Sequence, residues 1–183
     1  MTASKSDLYR DLAKGLAALL ADERDPIANA ANMAALIYHG LPDLNWAGFY
    51  FCRGAELVLG PFQGRPACVR IPLGNGVCGT AALRGATILV PDVHNFPGHI
   101  ACDPASRSEL VVPLLDGGRL LGVLDLDSPT LARFDETDRE GCQRLVALFV
   151  DHHHRFPDAW GKRPLTRPSP RERGEGGTRE AGG

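Results

Sequence analysis

"SELVVPLLDGGRLLGVLDLDS", residues 108 to 128, sets two apolar runs on either side of Asp116, Gly117 and Gly118. Runs rich in branched residues, separated by a few turn formers, read as an antiparallel hairpin. A three-residue loop at 116 to 118, with a glycine in the left-handed position, places Glu109 opposite Asp125. Side chains alternate along a strand, so Asp127 faces the same side as Asp125 and the three carboxylates share one patch. Like charges at that spacing resist joint ionisation, and the patch should either hold a proton at a raised pKa or take a cation. A two-residue Gly-Gly loop would turn Glu109 to the other face. The ordinary alternative is an acidic rim in solvent.

The rest of the chain supplies the layers around this hairpin. "WAGFYFCR", "ELVLGPF", "ACVRIPL" and "TILVPDV" are further short strand-like runs between turn residues. Leu8, Leu12, Leu16, Leu19 and Leu20 recur at helical spacing, and "DPIANAANMAALIY" opens a second helix with Asp25 as cap and Pro26 in the first turn. "CGTAALRG" reads as a short helix between strands, and "FDETDREGCQRLVALFVDHHH" as a final one with Asp135 and Asp138 as a capping box. This order predicts an α+β fold, an antiparallel sheet with helices packed on it, over residues 1–156. Residues 157–183, dominated by Gly, Pro, Arg and Glu, bury too little apolar surface to offset their chain entropy and are expected to form a disordered tail.

The 183 residues suit a single core with an appendage, and 44% hydrophobic with 23% charged residues is ordinary for a globular protein. A formal net charge of −2 offers nothing to nucleic acid or an anionic membrane, and the arginines of the tail are interleaved with glutamates. No apolar run reaches the roughly 18 residues of a membrane span, and the N-terminus lacks the apolar core of a secretory signal, so a cytoplasmic location is expected.

In that compartment the cysteines at 52, 68, 78, 102 and 142 point to reactive thiols or metal ligands rather than structural disulfides. Cys102 precedes Asp103 and Pro104, a cap and first-turn pair, so the thiol is expected just before a short helix whose amide N–H groups favour a thiolate. The competing reading is a small buried hydrophobe. If Cys102 is oxidised, either Cys68, placed in the preceding strand, or Cys78, among the glycines of "GNGVCGTAA", can resolve it as a disulfide. A zinc site from His99, Cys102, Cys78 and Cys68 is disfavoured because no CxxC knuckle is present, and no metal is expected. Trp46 and Tyr50 can wall a small cationic or zwitterionic ligand, or simply pack in the core.

"CVRIPLGNGVCGTAA", "VPDVHNFPGHIACDPASRSELVVPL" and "GVLDLDS" resemble the free methionine-(R)-sulfoxide reductases, single-domain enzymes of the GAF fold, from about Tyr9 to about Phe149. Cys68, Cys78 and Cys102 keep that family's separations of 10 and 24 residues. The resemblance implies that Cys102 attacks the sulfoxide sulfur of free L-methionine (R)-S-oxide, releases L-methionine and becomes a sulfenic acid. It implies Cys68 as the principal resolving cysteine, Cys78 as a second, and thioredoxin as the reductant, with no cofactor. Glu109, Asp125 and Asp127 correspond to substrate-binding acids, with Glu109 the one that shares a proton with the sulfoxide oxygen. Trp46 and Tyr50 enclose the substrate's methyl end, and the family likeness implies a homodimer. Cys52 and Cys142 have no counterpart role and are read as structural thiols. Two rivals share parts of this pattern: a non-catalytic GAF module that binds a small molecule, and a thiol redox sensor, which has no need of the acidic patch.

Overall fold

The computed structural model describes residues 4–98 and 103–153. His99, Cys102, His154 and the expected tail at 157–183 lie outside the described residues. Helices α1 (Lys5–Leu20) and α2 (Pro26–Gly40) lead into strands β1 (Trp46–Arg53), β2 (Glu56–Gly64) and β3 (Arg70–Pro72). Helix α3 (Gly76–Arg84), strand β4 (Ile88–Val90), a 3-10 turn at Val93–Asn95, the hairpin β5 (Ser108–Asp116) and β6 (Arg119–Ser128), and helix α4 (Glu136–His152) follow. The caps form as the sequence predicts. Asp25 accepts from the Ile27 and Ala28 amides beside Pro26, and Asp135 and Asp138 close a reciprocal capping box at the start of α4.

The strands form one antiparallel sheet in the order β3-β2-β1-β6-β5-β4. Alternation along the strands then sends neighbouring residues to different cores. Ala47, Phe49 and Phe51 of β1, Leu110 and Val112 of β5 and Leu124 and Leu126 of β6 pack with Leu16, Met33, Ile37 and Phe149 of α1, α2 and α4. The other face gives Trp46, Tyr50, Cys52, Val111 and Val123 to a smaller core closed by Val77, Cys78, Ala81 and Ala82 of α3. Covering both faces explains why β1, β5 and β6 are buried almost throughout instead of alternating with solvent.

The β5–β6 register differs from the sequence expectation, and the difference has a local cause. The loop is the two-residue Gly117-Gly118, with Asp116 paired to Arg119, and φ of 55° and 86° at the glycines matches the left-handed turn that suits a twisted hairpin. By itself that loop turns Glu109 away from the aspartates. A bulge restores the parity: Leu115 pairs with Leu120 but Leu114 pairs with Gly122, so Leu121 is an extra residue in β6. Beyond it Glu109 pairs with Asp127, not Asp125, and Val111 takes the place opposite Asp125. The expected face is kept, and the expected partner is corrected by two residues.

Two further expectations are corrected. Cys68 lies in the loop before β3, whose pairing with β2 covers only Arg70–Pro72. No helix follows residue 102. Asp103 instead closes a turn, accepting from the Ala105 amide at 2.9 Å, and the Arg107 amide already donates to Ser128 O at 2.7 Å. Entry into the sheet claims these backbone groups before a helical turn can propagate, so helix-terminal stabilisation of the thiol does not apply.

Close approach of β1 to β6 is what brings Tyr50 and Asp125 to the same side of the same wall. It depends on Gly122, where a Cβ would lie 2.1 Å from Tyr50 O, a backbone atom with little room to retreat. Gly122→Ala is expected to destabilise the fold by about 1–3 kcal/mol through overpacking. A urea unfolding midpoint unchanged from wild type would contradict that placement.

Candidate functional site

A cleft opens on the α3 face of the sheet, lined by Trp46, Tyr50, Arg65, Cys78, Asp103, Ser106, Glu109, Asp125 and Asp127 together with the turn into α3. Its wall begins with β1. Trp46 stacks on Tyr50 at 5.8 Å between ring centroids and on Phe62 at 5.3 Å, with the planes 25° and 13° apart. Gly48 sits between the two β1 aromatics, and a Cβ there would lie 2.3 Å from Phe62 Cβ and 2.7 Å from the Trp46 ring. The stack therefore depends on the missing side chain. Trp46 Nε1 donates to Arg65 O at 3.1 Å, fixing the indole edge.

The floor is acidic. Glu109 and Asp125 are each only 6% exposed, and Cys78 on α3 is 4% exposed above them. The Cys78 thiol donates towards Glu109 Oε1 at 3.9 Å and reaches the Asp125 carboxylate, while Asp125 Oδ1 has no hydrogen-bond partner among the described residues. Burial, reinforced by the charges of Asp125 and Asp127, pushes the Glu109 carboxyl well above its ordinary range. Burial likewise raises Asp125 to about 7. Asp127, closer to solvent, is also raised by burial and by the charges of Asp125 and Asp103. The Cys78 thiol is pushed far up by burial and by Asp125 and Glu109, so it is held as a neutral S–H. The patch anticipated from the hairpin is thus a cluster that keeps protons near neutral pH and is suited to receive a cationic group.

A second cluster holds the segment that follows residue 102. Asp103, buried, accepts from Asn45 Nδ2 at 3.1 Å and lies 3.8 Å from the Arg65 guanidinium. The same Asn45 amide donates to Ser106 Oγ at 3.0 Å, the Asn45 backbone amide donates to Asp127 O at 3.1 Å, and the Ser106 hydroxyl donates to the Asp127 carboxylate. The Ala105 amide, then Asn45 and Arg65, hold the Asp103 carboxyl below its usual range. One ionised acid at the rim and proton-holding acids at the floor give the cleft two electrostatically different ends.

The structure thus brings together Trp46, Tyr50, Cys78, Glu109, Asp125 and Asp127. Cys68 is half-buried and packs against the smaller core without lining the cleft. Cys52 and Cys142 are buried away from the cleft; Cys142 contacts the Tyr9 hydroxyl at 3.6 Å, and burial raises its thiol to about 12. His152 and His153 are also engaged elsewhere, His153 bridging Phe149 O at 2.7 Å and Asn29 at 3.0 Å. Sequence reasoning missed Phe62, Arg65, Asn45 and Ser106. Only Phe62 left a signal, because the β1–β2 hairpin register puts it opposite Gly48.

The GAF domain model matches residues 10–163. The free methionine-R-sulfoxide reductase of Escherichia coli (strain K12) is 51% identical over 144 residues, covering 79% of this chain and 87% of the relative. The chain belongs to the free methionine-R-sulfoxide reductase family of GAF domains. A solved member of that family, from Neisseria meningitidis in complex with its substrate, superposes with a TM-score of 0.80 at 46% identity, covering 83% of this chain and 92% of that one. A structure from Burkholderia vietnamiensis described as a putative GAF sensor protein is 61% identical, with a TM-score of 0.80, and covers 82% of this chain and 96% of that one. The family membership accords with the fold.

The raised carboxyl pKa values carry a stability consequence with a definite sign. A buried acid that binds its proton more tightly in the folded state favours folding below its unfolded pKa of about 4, and that contribution is lost as pH rises through the folded value. For Asp125 the window runs from about pH 4 to about 7. Asp125→Asn is expected to flatten the fall in stability across that window and to raise the urea midpoint at pH 8 relative to wild type. Parallel pH profiles for the two proteins would contradict the burial of an ionisable carboxyl there.

Proposed function

We propose that this protein reduces free L-methionine (R)-S-oxide to L-methionine. The observation that carries the reading is a pocket in which proton-holding acids and the Trp46–Tyr50 stack lie side by side on one face of the sheet. It occurs in a chain 51% identical to a relative named for that activity. The substrate is a small zwitterion with an apolar methyl end and a sulfoxide oxygen that must accept a proton as the S–O bond breaks. Asp125 and Asp127 suit its ammonium group, the aromatic rings suit the methyl end, and the protonated Glu109 suits the oxygen.

In this mechanism the Cys102 sulfur attacks the sulfoxide sulfur, and the oxygen passes to Cys102 as the sulfenic acid while methionine departs. Support comes from the chain itself, since Asp103, the next residue, lines the pocket. The Cys68 thiol then attacks the sulfenic sulfur, forming a disulfide and releasing water, with Cys78 as a second resolving thiol. Thioredoxin supplies two electrons by thiol–disulfide exchange and restores the dithiol. The burial and neutrality of Cys78 favour Cys68 as the first resolving group, because the thiolate is the attacking species. No cofactor is required. The reading includes a cytoplasmic location, consistent with the absence of any described helix long and apolar enough to cross a membrane, and a homodimer. It also assigns residues 1–156 to the catalytic domain and 157–183 to a tail outside the chemistry.

The test is turnover with thioredoxin, its reductase, NADPH and each epimer of free methionine sulfoxide. Consumption with the R epimer alone is expected; consumption with neither would favour a binding or redox-sensing GAF module. Cys102→Ser should abolish turnover, whereas Cys68→Ser should release close to one equivalent of methionine per enzyme and stall. A Cys68→Ser variant as fast as wild type over many turnovers would remove that cysteine from the resolving step. Asp127→Asn should raise KM with a smaller effect on kcat, and unchanged kinetics would take Asp127 out of the site.

A further inference from the structure

The tertiary fold brings together three groups that the linear spacing of the cysteines could not connect. A sulfur of Cys78, a carboxylate oxygen of Glu109 and one of Asp125 lie within 4.8 Å of one another, all three residues buried. The Cys78 Sγ to Glu109 Oε1 distance is 3.9 Å. A second, independent feature is Asp125 Oδ1, a buried carboxylate oxygen without a hydrogen-bond partner among the described residues. The geometry points to a three-ligand site for a thiophilic divalent cation, Zn²⁺ above all, formed by Cys78, Glu109 and Asp125 and open towards the cleft.

The donor set and dimensions select the ion class. A point equidistant from three atoms no more than 4.8 Å apart can lie within about 2.8 Å of each, so contraction by roughly 0.5–0.8 Å reaches ordinary Zn–S and Zn–O lengths. One sulfur with two oxygens suits a borderline-soft ion, whereas Mg²⁺ and Ca²⁺ need six or more oxygens and gain nothing from a thiol. Three protein ligands with a fourth position facing a cavity is the arrangement of an accessible rather than a sealed zinc site. Binding would replace the protons of the cluster with a cation, releasing them to solvent. The His99, Cys102, Cys78 and Cys68 set considered from sequence contains neither carboxylate, which is why motif spacing gave no hint of this site.

Because the same carboxylates face the proposed substrate position, the ion and an amino-acid ligand should exclude one another. That consequence rests on the proposed function; the metal site does not. Excess Zn²⁺ should therefore inhibit turnover, and a chelator should restore it.

The test uses the full chain, freed of any affinity tag, reduced with a phosphine and titrated with Co²⁺ near neutral pH. A sulfur-to-cobalt charge-transfer band saturating at one equivalent is expected, displaced by Zn²⁺, absent in Cys78→Ser and retained in Cys68→Ser and Cys102→Ser. Even supporting residues around metal ligands are worth roughly 10–100-fold in affinity, so Asp125→Asn should weaken binding by at least about tenfold. Should Cys78→Ser fail to fold, Zn²⁺ should still raise the Tm of wild type more than that of Asp125→Asn. The absence of a band, a band that survives in Cys78→Ser, or equal Tm shifts would each overturn the site. If the band forms as expected but free methionine does not compete with it, the metal assignment stands and the substrate position assigned to this pocket fails.

Discussion

Glu109 and Asp127 face each other across β5 and β6, and Asp125 lies one pleat away on the same face. Buried carboxylates so close cannot all be ionised, and this constraint organises the whole cleft. Something positive must be supplied, whether protons held at raised pKa, the ammonium of a ligand or a metal ion, and each choice stabilises a different state of one cluster. Cys78 is drawn into the same arrangement, its thiol kept neutral by its burial and by the acids beneath it. A site of this kind is costly to the folded protein, and the two cores flanking the sheet are what hold it in place.

The sheet performs that task by division of labour. One face is committed to α1, α2 and α4, whose leucines, Met33, Ile37 and Phe149 make the larger core. On the opposite face α3 packs beside Val93 and Phe96, and its first turn carries Cys78 over Glu109 and Asp125, next to the Trp46–Tyr50 stack. The cleft opens on that second face beside the first turn of α3. Its shape follows from Gly48, which lets Trp46, Tyr50 and Phe62 stack, and from Asn45, whose amides tie the start of β1 to Asp103, Ser106 and Asp127.

Relatives described as reductases and as a putative sensor superpose equally well on this chain, so fold similarity alone does not choose between catalysis and sensing. The chemistry of the pocket is more discriminating. A redox sensor needs accessible thiols and a neighbour to pair with, but it has no use for two protonated carboxyls beside an aromatic wall. A reductase acting on a free amino acid uses both, and a metal able to occupy the same acids would link its activity to the supply of that ion.

The helix caps, the strand count and the antiparallel class followed from local pattern, because capping, alternation and turn chemistry act within a few residues. The pairs Trp46 with Tyr50 and Asp125 with Asp127 were legible for that reason, whereas Glu109 kept its expected face only because the Leu121 bulge offsets the two-residue loop. The partner of Glu109 was not, since it depends on the extra Leu121, and a bulge is set by packing of β6 against both neighbours rather than by the turn sequence. The turn after residue 102 was misjudged because pairing of Arg107 with Ser128, on another strand, overrides a local helix signal. Arg65, Asn45 and Ser106 joined the site through contacts between segments far apart in the chain, and the meeting of Cys78 with Glu109 and Asp125 required α3 to pack across the hairpin. Periodicity fixes which way a side chain points; only the folded chain decides what it meets there.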